Sequence, residues 1–344
     1  MKKTRVAING FGRIGRAFYK LARARSEFEI VAVNDLGDPE NMAYLLKYDT
    51  AYGKAGFEVE VVAGNEPGFI VGGQKVILVQ EKEPTNLPWA KYDIDIVVES
   101  TGFFTSPEKA SVHLTQGAKR VVVTAPMTGD DIPEVRCITA LMGINDGELA
   151  NAKISSNASC TTNAASPVVC ILNETIGIEK AILNTTHAYT GTQKIVDGPG
   201  GKDLRGGRAG AQNMIPASTG AAHAITEVVK DLKGKFDGIS IRVPVITGSI
   251  ADVTFIAKRN TTVEEVNQIL RDAAKDPRWE GVFTVSEEPI VSSDIVGELY
   301  GSIADLDLTR VVDGNLVKVM AWYDNEMGYT NTLVKHVVKV ASYL

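Results

Sequence analysis

The feature of this 344-residue chain that most restricts its fold is a glycine-rich turn between a strand and a helix near the N-terminus. Residues 5–8 are a short apolar run that predicts a strand, and residues 13–25 carry apolar side chains at helical spacing. Between them the glycines Gly10, Gly12 and Gly15 have the G-x-G-x-x-G spacing, which permits a tight turn and a close approach to a pyrophosphate. The pattern therefore predicts a parallel sheet with a dinucleotide site at its first turn.

Strand-like runs continue to alternate with helical patterns through the first half of the chain, as in a sheet with crossover helices. The further runs are residues 29–33, 57–62, 75–79, 94–98 and 120–124. The last two are continuous enough to be buried on both faces, which is typical of parallel strands. This half is predicted to be an α/β domain, doubly wound and of the Rossmann type.

The second half has longer β segments, at residues 181–186, 239–245, 249–257 and 316–323. They predict an α+β catalytic domain with a largely antiparallel sheet, interrupted by an irregular glycine-rich loop at residues 198–210. The apolar stripe of the C-terminal stretch predicts a helix that docks on the first domain. We expect a first domain of residues 1–159, completed by residues 324–344, and a second domain of residues 160–323, because 344 residues can fill two cores.

Composition excludes several classes of function. A formal net charge of −6 gives no global positive field that would attract nucleic acid or an anionic membrane, so nucleic acid is not expected as a main partner. The three cysteines, Cys137, Cys160 and Cys170, suggest no disulfide framework and favour a reducing compartment, so we expect a cytoplasmic protein. Neither a signal peptide nor a membrane span is expected from the hydropathy pattern.

The second predicted strand ends at an acidic residue, Asp35, 20 residues after Gly15. A carboxylate there can accept hydrogen bonds from the adenosine ribose hydroxyls and repel a 2′-phosphate. No cationic residue follows among Leu36, Gly37 and Asp38, so NAD is the expected cofactor. The alternative is a glycine turn that only packs a helix on a strand, with Asp35 an ordinary loop acid.

Small polar residues surround Cys160 just before an apolar helical stretch, which predicts a helix N-terminus at this cysteine. The helix dipole and nearby N–H donors favour a thiolate in that position, so Cys160 is the candidate nucleophile. The alternative for any single cysteine is a small buried hydrophobe, and we expect that role for Cys137 and Cys170, which lie in apolar runs.

A thiol that attacks a carbonyl needs a base, and the chain has four histidines. His113, His223 and His336 lie in helical patterns, whereas His187 ends a predicted strand, where site residues are common. A structural role for His187 stays open as the alternative. Arg242 lies inside a β-branched strand, where a charge needs either an anionic ligand or a carboxylate partner.

These residues belong to motifs that together resemble the glyceraldehyde-3-phosphate dehydrogenase family over essentially the whole chain. The motifs are Asn9-Gly-Phe-Gly-Arg-Ile-Gly-Arg16, Glu99-Ser-Thr-Gly102, Ser156-Asn-Ala-Ser-Cys-Thr-Thr-Asn163, His187-Ala-Tyr-Thr190, Pro216-Ala-Ser-Thr-Gly220 and Trp322-Tyr-Asp-Asn-Glu-Met-Gly-Tyr329. The resemblance implies oxidation of glyceraldehyde 3-phosphate through a Cys160 hemithioacetal and thioester, with His187 as base and inorganic phosphate as second substrate. It also implies a homotetramer in which the 198–210 loop packs near a neighbouring subunit's cofactor.

The resemblance further implies two phosphate positions and a set of cofactor contacts, and no metal. The phosphate residues would be Ser159, Thr161, Thr190, Thr219, Gly220 and Arg242. The added cofactor contacts would be Arg13, Ile14, Lys82, Thr124 and Asn325.

The chain departs from the family at two places, and two alternative functions stay open. Ala164 stands where many members have a second cysteine, and residues 128–140 look like an altered insertion. Erythrose-4-phosphate dehydrogenase shares the fold and the Cys/His pair but releases its thioester to water. The other alternative is a non-enzymatic role in surface or RNA binding, although no basic aromatic patch supports it.

Overall fold

The computed structural model describes residues 3–129, 131–201 and 203–344, in two units. The first unit comprises Met1–Ala140, Asn145–Ala158 and Leu333–Leu344, and the second comprises Leu141–Ile144 and Ser159–Thr332. The second unit is therefore inserted into the sequence of the first. The functional domain boundaries expected from the sequence stay a prediction.

The first unit is built on a nine-stranded sheet and a separate two-stranded hairpin. The strands are β1 (Thr4–Asn9), β2 (Phe28–Asn34), β3 (Tyr48–Asp49), β4 (Gly53–Lys54), β5 (Val59–Val62), β6 (Gly68–Val71), β7 (Gln74–Leu78), β8 (Ile96–Glu99), β9 (Arg120–Val123), β10 (Cys137–Thr139) and β11 (Ile154–Ser156). The order in the sheet is β10-β11-β9-β8-β1-β2-β7-β6-β5, and β3 and β4 form the hairpin. Every neighbouring pair from β10 to β7 is parallel, and only the β7-β6-β5 edge is antiparallel. The predicted doubly wound, Rossmann-type sheet is confirmed.

Four helices belong to this part of the chain: α1 (Arg13–Ala22), α2 (Pro39–Lys47), α3 (Pro107–Ala110) and α4 (Val112–Thr115). Helix α1 buries Phe18 and Tyr19 against the sheet and ends three residues earlier than its predicted limit at Arg25. Helix α2 begins at Pro39, whose fixed φ suits a first helical position, and Asp38 caps it by accepting the Asn41 N–H at 2.8 Å.

The second unit is built on a seven-stranded sheet. Its strands are β12 (Ile178–Ala188), β13 (Ile215–Ser218), β14 (Phe236–Val243), β15 (Ser249–Ala257), β16 (Phe283–Ser286), β17 (Ser302–Val312) and β18 (Leu316–Tyr323). Their order in the sheet is β13-β14-β12-β15-β18-β17-β16. Four of the six neighbouring pairs are antiparallel, which confirms the largely antiparallel sheet.

The remaining helices are α5 (Cys160–Thr175), α6 (Ala221–Val228), α7 (Val263–Ala273) and α8 (Met327–Ala341). Helix α5 is almost wholly buried within the second core. The C-terminal part of α8 supplies Leu333, Val334, Val337 and Val340 to the first core. The predicted docking of the C-terminal helix on the first domain is therefore confirmed.

Two segments that the sequence singles out, residues 198–210 and 128–140, are largely irregular among the described residues, as predicted for the first of them. The 198–210 loop has no strand, only one 3₁₀ turn at Leu204–Gly207, and its residue 202 lies outside the described residues. Within 128–140, residue 130 also lies outside them, and β10 forms the ordered end of the segment. None of the helices in the described part of the chain is both long and apolar enough to cross a membrane.

Candidate active site

Cys160 is the first residue of α5, as the sequence predicts, and the preceding residue caps the helix. Ser159 Oγ accepts the Thr162 N–H at 3.1 Å, which ends the extended chain and starts the helix at the cysteine. The side chain of Cys160 thus lies where the free N–H groups of a 16-residue helix are concentrated.

His187 reaches this cysteine from the neighbouring sheet. It is the penultimate residue of β12, it is 3% exposed, and its Nε2 lies 3.3 Å from Cys160 Sγ. That contact is within the limit for a hydrogen bond to sulfur and brings together the nucleophile and base predicted from the sequence.

The other ring nitrogen of His187 has two neighbours that require different tautomers. Nδ1 lies 2.7 Å from the Ala188 carbonyl oxygen and 2.7 Å from Arg242 Nη1. A carbonyl only accepts and a guanidinium only donates. With the proton on Nδ1 and donated to Ala188, Nε2 keeps its lone pair and can take a proton from Cys160.

Burial and Arg242 determine the electrostatics of the pair. Burial raises the pKa of the Cys160 thiol, and the Arg242 charge and hydrogen bonds from Thr161 oppose that rise. Burial, followed by the Arg242 charge, lowers the pKa of His187 to about 3. These two directions favour a neutral thiol beside a neutral imidazole. The positive charge of Arg242 is the largest of the influences that oppose the rise in the pKa of Cys160.

Tyr323 is a buried contact of this site that the sequence reasoning did not single out. Its hydroxyl lies 2.9 Å from Thr161 Oγ1 and 2.7 Å from Thr185 Oγ1, and its ring packs edge-on against His187 at 5.9 Å between centroids. Burial raises the pKa of the Tyr323 phenol, so the hydroxyl stays protonated and bridges α5 to β12. The hydroxyl of Thr161 is therefore engaged in the core.

Three of the remaining predicted phosphate residues lie in loops of the second unit, and the fourth, Arg242, lies in β14. Thr190 donates its N–H to Gln193 Oε1 at 2.9 Å, and Thr219 Oγ1 accepts the Ala221 N–H at 3.2 Å. Gly220 is the residue immediately before α6. Arg242 pairs with Ile215 across β14 and β13, and its buried Nε has no hydrogen-bond partner among the described residues. A half-buried guanidinium whose buried Nε is an unused donor is suited to an anion.

Asn325 is held in one orientation by two donors that converge on its side-chain oxygen. Oδ1 accepts from the Gly248 N–H at 3.2 Å and the Ser249 hydroxyl at 3.0 Å, while the nearby Thr247 hydroxyl donates to Asp324 Oδ1 at 2.8 Å. The assignment of oxygen and nitrogen in this amide follows from these contacts. The orientation of the Asn325 amide is therefore fixed by its neighbours in the second unit.

The first unit contains a cavity of about 560 Å³ at the glycine turn. Gly10, Gly12, Asp35 and Lys82 all line it, so four of the predicted cofactor residues surround one space. Asp35 accepts the N–H groups of Phe11 at 2.7 Å and Gly37 at 2.9 Å, which holds the turn against the end of β2.

The third glycine of the motif permits close packing. A Cβ at Gly15 would lie 2.1 Å from the Gly10 carbonyl oxygen, and Gly10 itself has φ +94°. Ile14 packs against the core of the first unit, and the Arg13 side chain is paired with Asp49 at 2.8 Å, so a cofactor contact from either residue would use the backbone. Thr124 follows β9 and does not line the cavity.

A buried carboxylate supports the floor of this cavity. Glu99 accepts hydrogen bonds from Asn9 Nδ2 at 2.6 Å, the Thr101 N–H at 2.7 Å and His113 Nε2 at 2.9 Å. Because Trp89 donates to His113 Nδ1, the proton of His113 is on Nε2, facing Glu99. The Glu99 motif therefore fixes the loops after β1 and β8.

Comparison with known proteins finds one and the same enzyme family for both units of the chain. A model of the glyceraldehyde 3-phosphate dehydrogenase NAD binding domain matches residues 4–107, and one of the C-terminal domain of the same enzyme matches residues 159–325. This chain belongs to the glyceraldehyde-3-phosphate dehydrogenase family. It is 45% identical to the glyceraldehyde-3-phosphate dehydrogenase of Clostridium pasteurianum over 337 residues, 96% of this chain and 97% of that protein. The enzyme of Streptomyces coelicolor is 45% identical, with 99% of each chain covered.

As a glyceraldehyde-3-phosphate dehydrogenase, the chain is an NAD-dependent enzyme, and the cavity of the first unit fits that cofactor. The N-terminus of α1 would supply donors for a pyrophosphate, Asp35 would supply an acceptor for ribose hydroxyls, and Leu36 and Phe103 form apolar parts of the cavity lining. Among the described residues no cluster of three or more His, Cys, Asp or Glu could hold a metal ion.

Proposed function

We propose that Cys160 is the nucleophile and His187 the base with which this enzyme oxidises glyceraldehyde 3-phosphate and phosphorylates the product to 1,3-bisphosphoglycerate. The observation that carries this assignment is the 3.3 Å contact between Cys160 Sγ and His187 Nε2 at the start of α5. The neutral imidazole favoured by burial is the form that can take a proton.

The first half of the reaction makes a carbon–sulfur bond and oxidises the carbon. Cys160 gives its thiol proton to His187 Nε2 as sulfur adds to the aldehyde carbon, and the oxygen receives that proton, which yields a hemithioacetal. His187 then removes the hydroxyl proton while hydride leaves the carbon, and a thioester remains. NAD, when bound, accepts the hydride. The backbone N–H of Cys160 and His187 would stabilise the transient oxyanion.

The second half breaks the carbon–sulfur bond. Inorganic phosphate attacks the thioester carbon, the acyl phosphate leaves, and the proton held on His187 returns to the Cys160 sulfur while the phosphate proton is released. Arg242 supplies charge for the phosphate groups. Hydrogen bonds to them come from Ser159, Thr190, Thr219 and Gly220, and from the backbone N–H of Thr161, whose hydroxyl is engaged in the core. The buried, unpartnered Nε of Arg242 supports this role.

The proposed cofactor contacts are the glycine turn, the N–H groups of Arg13 and Ile14, Asp35 at the adenosine ribose, and Asn325 at the carboxamide. Lys82 and Thr124 complete the set. The cavity at Gly10, Gly12, Asp35 and Lys82 and the fixed amide of Asn325 support these roles. In this proposal residues 1–159 with 324–344 bind NAD and residues 160–323 bind substrate.

One assay tests the assignment: NADH formation from glyceraldehyde 3-phosphate with and without inorganic phosphate, in the native enzyme and in Cys160→Ser. The native enzyme should require phosphate. Cys160→Ser should bind NAD but retain less than a few per cent of the rate, because a serine hydroxyl is not ionised at neutral pH and is a weaker nucleophile than a thiolate. Higher residual activity would refute Cys160 as nucleophile. Sustained turnover without phosphate would instead indicate hydrolysis of the thioester, as in erythrose-4-phosphate dehydrogenase.

We also propose a cytoplasmic homotetramer. Four large apolar side chains in and beside the 198–210 loop are mostly exposed in the single chain: Ile195, Val196, Leu204 and Met214. Such a patch is typical of an interface between subunits, which supports the tetramer. The cytoplasmic location has a separate support: the three free cysteines are consistent with a reducing compartment. Light scattering coupled to size exclusion should give the mass of four chains.

A further inference from the structure

Three strand ends meet beside His187 in the second unit. Strands β12, β15 and β18 are consecutive in the sheet; β12 ends at Ala188, β15 begins at Ser249, and β18 ends at Tyr323. The strand that begins at Ser249 therefore lies between the strand that carries His187 and the strand that leads to Asn325.

The side chain of Ser249 connects these two neighbours. The ladder between β12 and β15 ends at the pair Thr186↔Ile250, and beyond it Ser249 Oγ accepts the Ala188 N–H at 3.1 Å. The same hydroxyl donates to Asn325 Oδ1 at 3.0 Å. Ser249 is 1% exposed. Because the Ala188 N–H can only donate, the hydroxyl oxygen accepts from it, and the single hydroxyl proton is left to be donated to the amide oxygen.

The carbonyl of Ala188 completes the connection, because it accepts from His187 Nδ1 at 2.7 Å. We propose that Ser249 is a positioning residue that couples the orientation of the Asn325 amide to the orientation of the His187 imidazole. The inference rests on the proposed roles of those two residues. Ser249 acts through the Ala188 backbone on one side and the amide oxygen on the other.

The two ends of the connection do not depend on Ser249 equally. Without the hydroxyl, the Ala188 N–H is buried with no acceptor and the strand end must shift, which moves the carbonyl that orients His187. Asn325 Oδ1 keeps another donor, the Gly248 N–H, whereas the Thr247 hydroxyl gives its single proton to Asp324 Oδ1 at 2.8 Å. Loss of the hydroxyl should therefore affect proton transfer at Cys160 more than it affects NAD binding.

The test compares Ser249→Ala with Ser240→Ala. Ser240 lies in β14 of the same sheet, is also 1% exposed, and its hydroxyl has no hydrogen-bond partner among the described residues. The primary measurement is the rate of alkylation of Cys160 by iodoacetamide without cofactor, read on the Cys160 peptide by mass spectrometry. The steady-state constants and the NAD dissociation constant are measured in parallel.

We expect Ser249→Ala to slow alkylation and kcat by about five- to tenfold and to raise the NAD dissociation constant by about two- to threefold. Ser240→Ala should stay within about twofold of the native enzyme in all three. In a His187→Asn background, Ser249→Ala should slow alkylation no further, because the residue it positions is gone. Equal effects of the two serine variants, or full additivity with His187→Asn, would overturn the proposal.

A reciprocal measurement keeps the proposal testable if Ser249→Ala folds poorly. Asn325→Ala removes the acceptor of the Ser249 hydroxyl and should slow Cys160 alkylation about two- to threefold in the absence of NAD. A residue that only contacted the cofactor would leave that rate unchanged, and such a result would refute the coupling. If His187→Asn itself left alkylation and turnover intact, the proposed function would be wrong, not the coupling alone.

Discussion

Arg242 acts on both reacting groups, because its positive charge lowers the pKa of Cys160 and of His187. Arg242→Leu should therefore raise both pKa values, and the rise of Cys160 alkylation with pH should move to higher pH. We expect alkylation about tenfold slower at pH 8. Arg242→Lys keeps a charge and is the matched control. An unchanged pH profile in the leucine variant would mean that the guanidinium does not act on the sulfur.

Asp35 should determine the choice between NAD and NADP. Asp35→Ala removes the ribose acceptor and the two N–H contacts to Phe11 and Gly37, so NAD binding should weaken by roughly 1.5 to 3 kcal/mol and the preference over NADP should narrow. Asp38→Ala is the control, since Asp38 has the same charge but caps α2. Calorimetric titration with both cofactors checks this. An equal change in both variants would show that only the net charge matters.

At the residue scale, the sequence identifies which side chains are chemically suited to the site but not how they are connected. Cys160 and His187 are recognisable from a helix start and a strand end. Ser249 and Tyr323 lack such a signal, because their contacts with Ala188 and Thr161 depend on the order of strands in the sheet. The burial of Cys160 and His187, which shifts both pKa values towards the neutral forms, likewise follows from tertiary packing and not from a local pattern.

At the scale of elements, two glycines of the turn before and in α1 have different roles: Gly15 permits close packing of the helix, and Gly12 leaves space for the cofactor. A methyl group at Gly15 would meet the Gly10 carbonyl at 2.1 Å, so Gly15→Ala should force α1 away from the turn, lower the thermal midpoint and weaken NAD binding at least tenfold. A methyl group at Gly12 has no other described heavy atom within 4 Å. Gly12→Ala should therefore fold normally and weaken only NAD binding. Equal thermal midpoints for the two variants would contradict this division.

Elements with unbroken periodicity agree closely with the sequence, and those with interruptions do not. The predicted 249–257 and 316–323 segments match β15 and β18 in full. Strand β17 was not predicted, because Asp305, Asp307 and Arg310 interrupt its apolar pattern where the register with β18 shifts. The parallel pairing of β12 with β14 inside a mostly antiparallel sheet is likewise a property of tertiary packing.

At the scale of the whole molecule, a buried histidine in α8 should limit stability in acid. His336 is fully buried, its ring nitrogens contact Ser155 and Asn157, and burial lowers its pKa to about 3. The unfolded chain, with a histidine pKa near 6.5, binds the proton more readily. Stability is thus fully present above about pH 6.5 and is lost as pH falls towards 3, by roughly 2 to 3 kcal/mol at pH 4.5.

His336→Asn should accordingly have a lower thermal midpoint at pH 7.5 but a smaller decrease in that midpoint between pH 7 and pH 4.5. His223→Asn is the control, because His223 is exposed and its ring contacts Glu227 in the next turn. Thermal midpoints measured across this pH range test the expectation. Parallel decreases in the native protein and the His336 variant would show that another group controls acid unfolding.

The division of the chain has a consequence for its synthesis on the ribosome. The core of the first unit takes residues from Val6 to Leu149 and then from the far end of α8, between Leu333 and Val340. When the first part of the chain leaves the ribosome, the core of the first unit therefore lacks the apolar residues of α8. These residues are still missing while the second unit is being translated. The second unit has every residue it needs once Thr332 has left the exit tunnel. The unit that is translated first can complete its core only after the unit translated second.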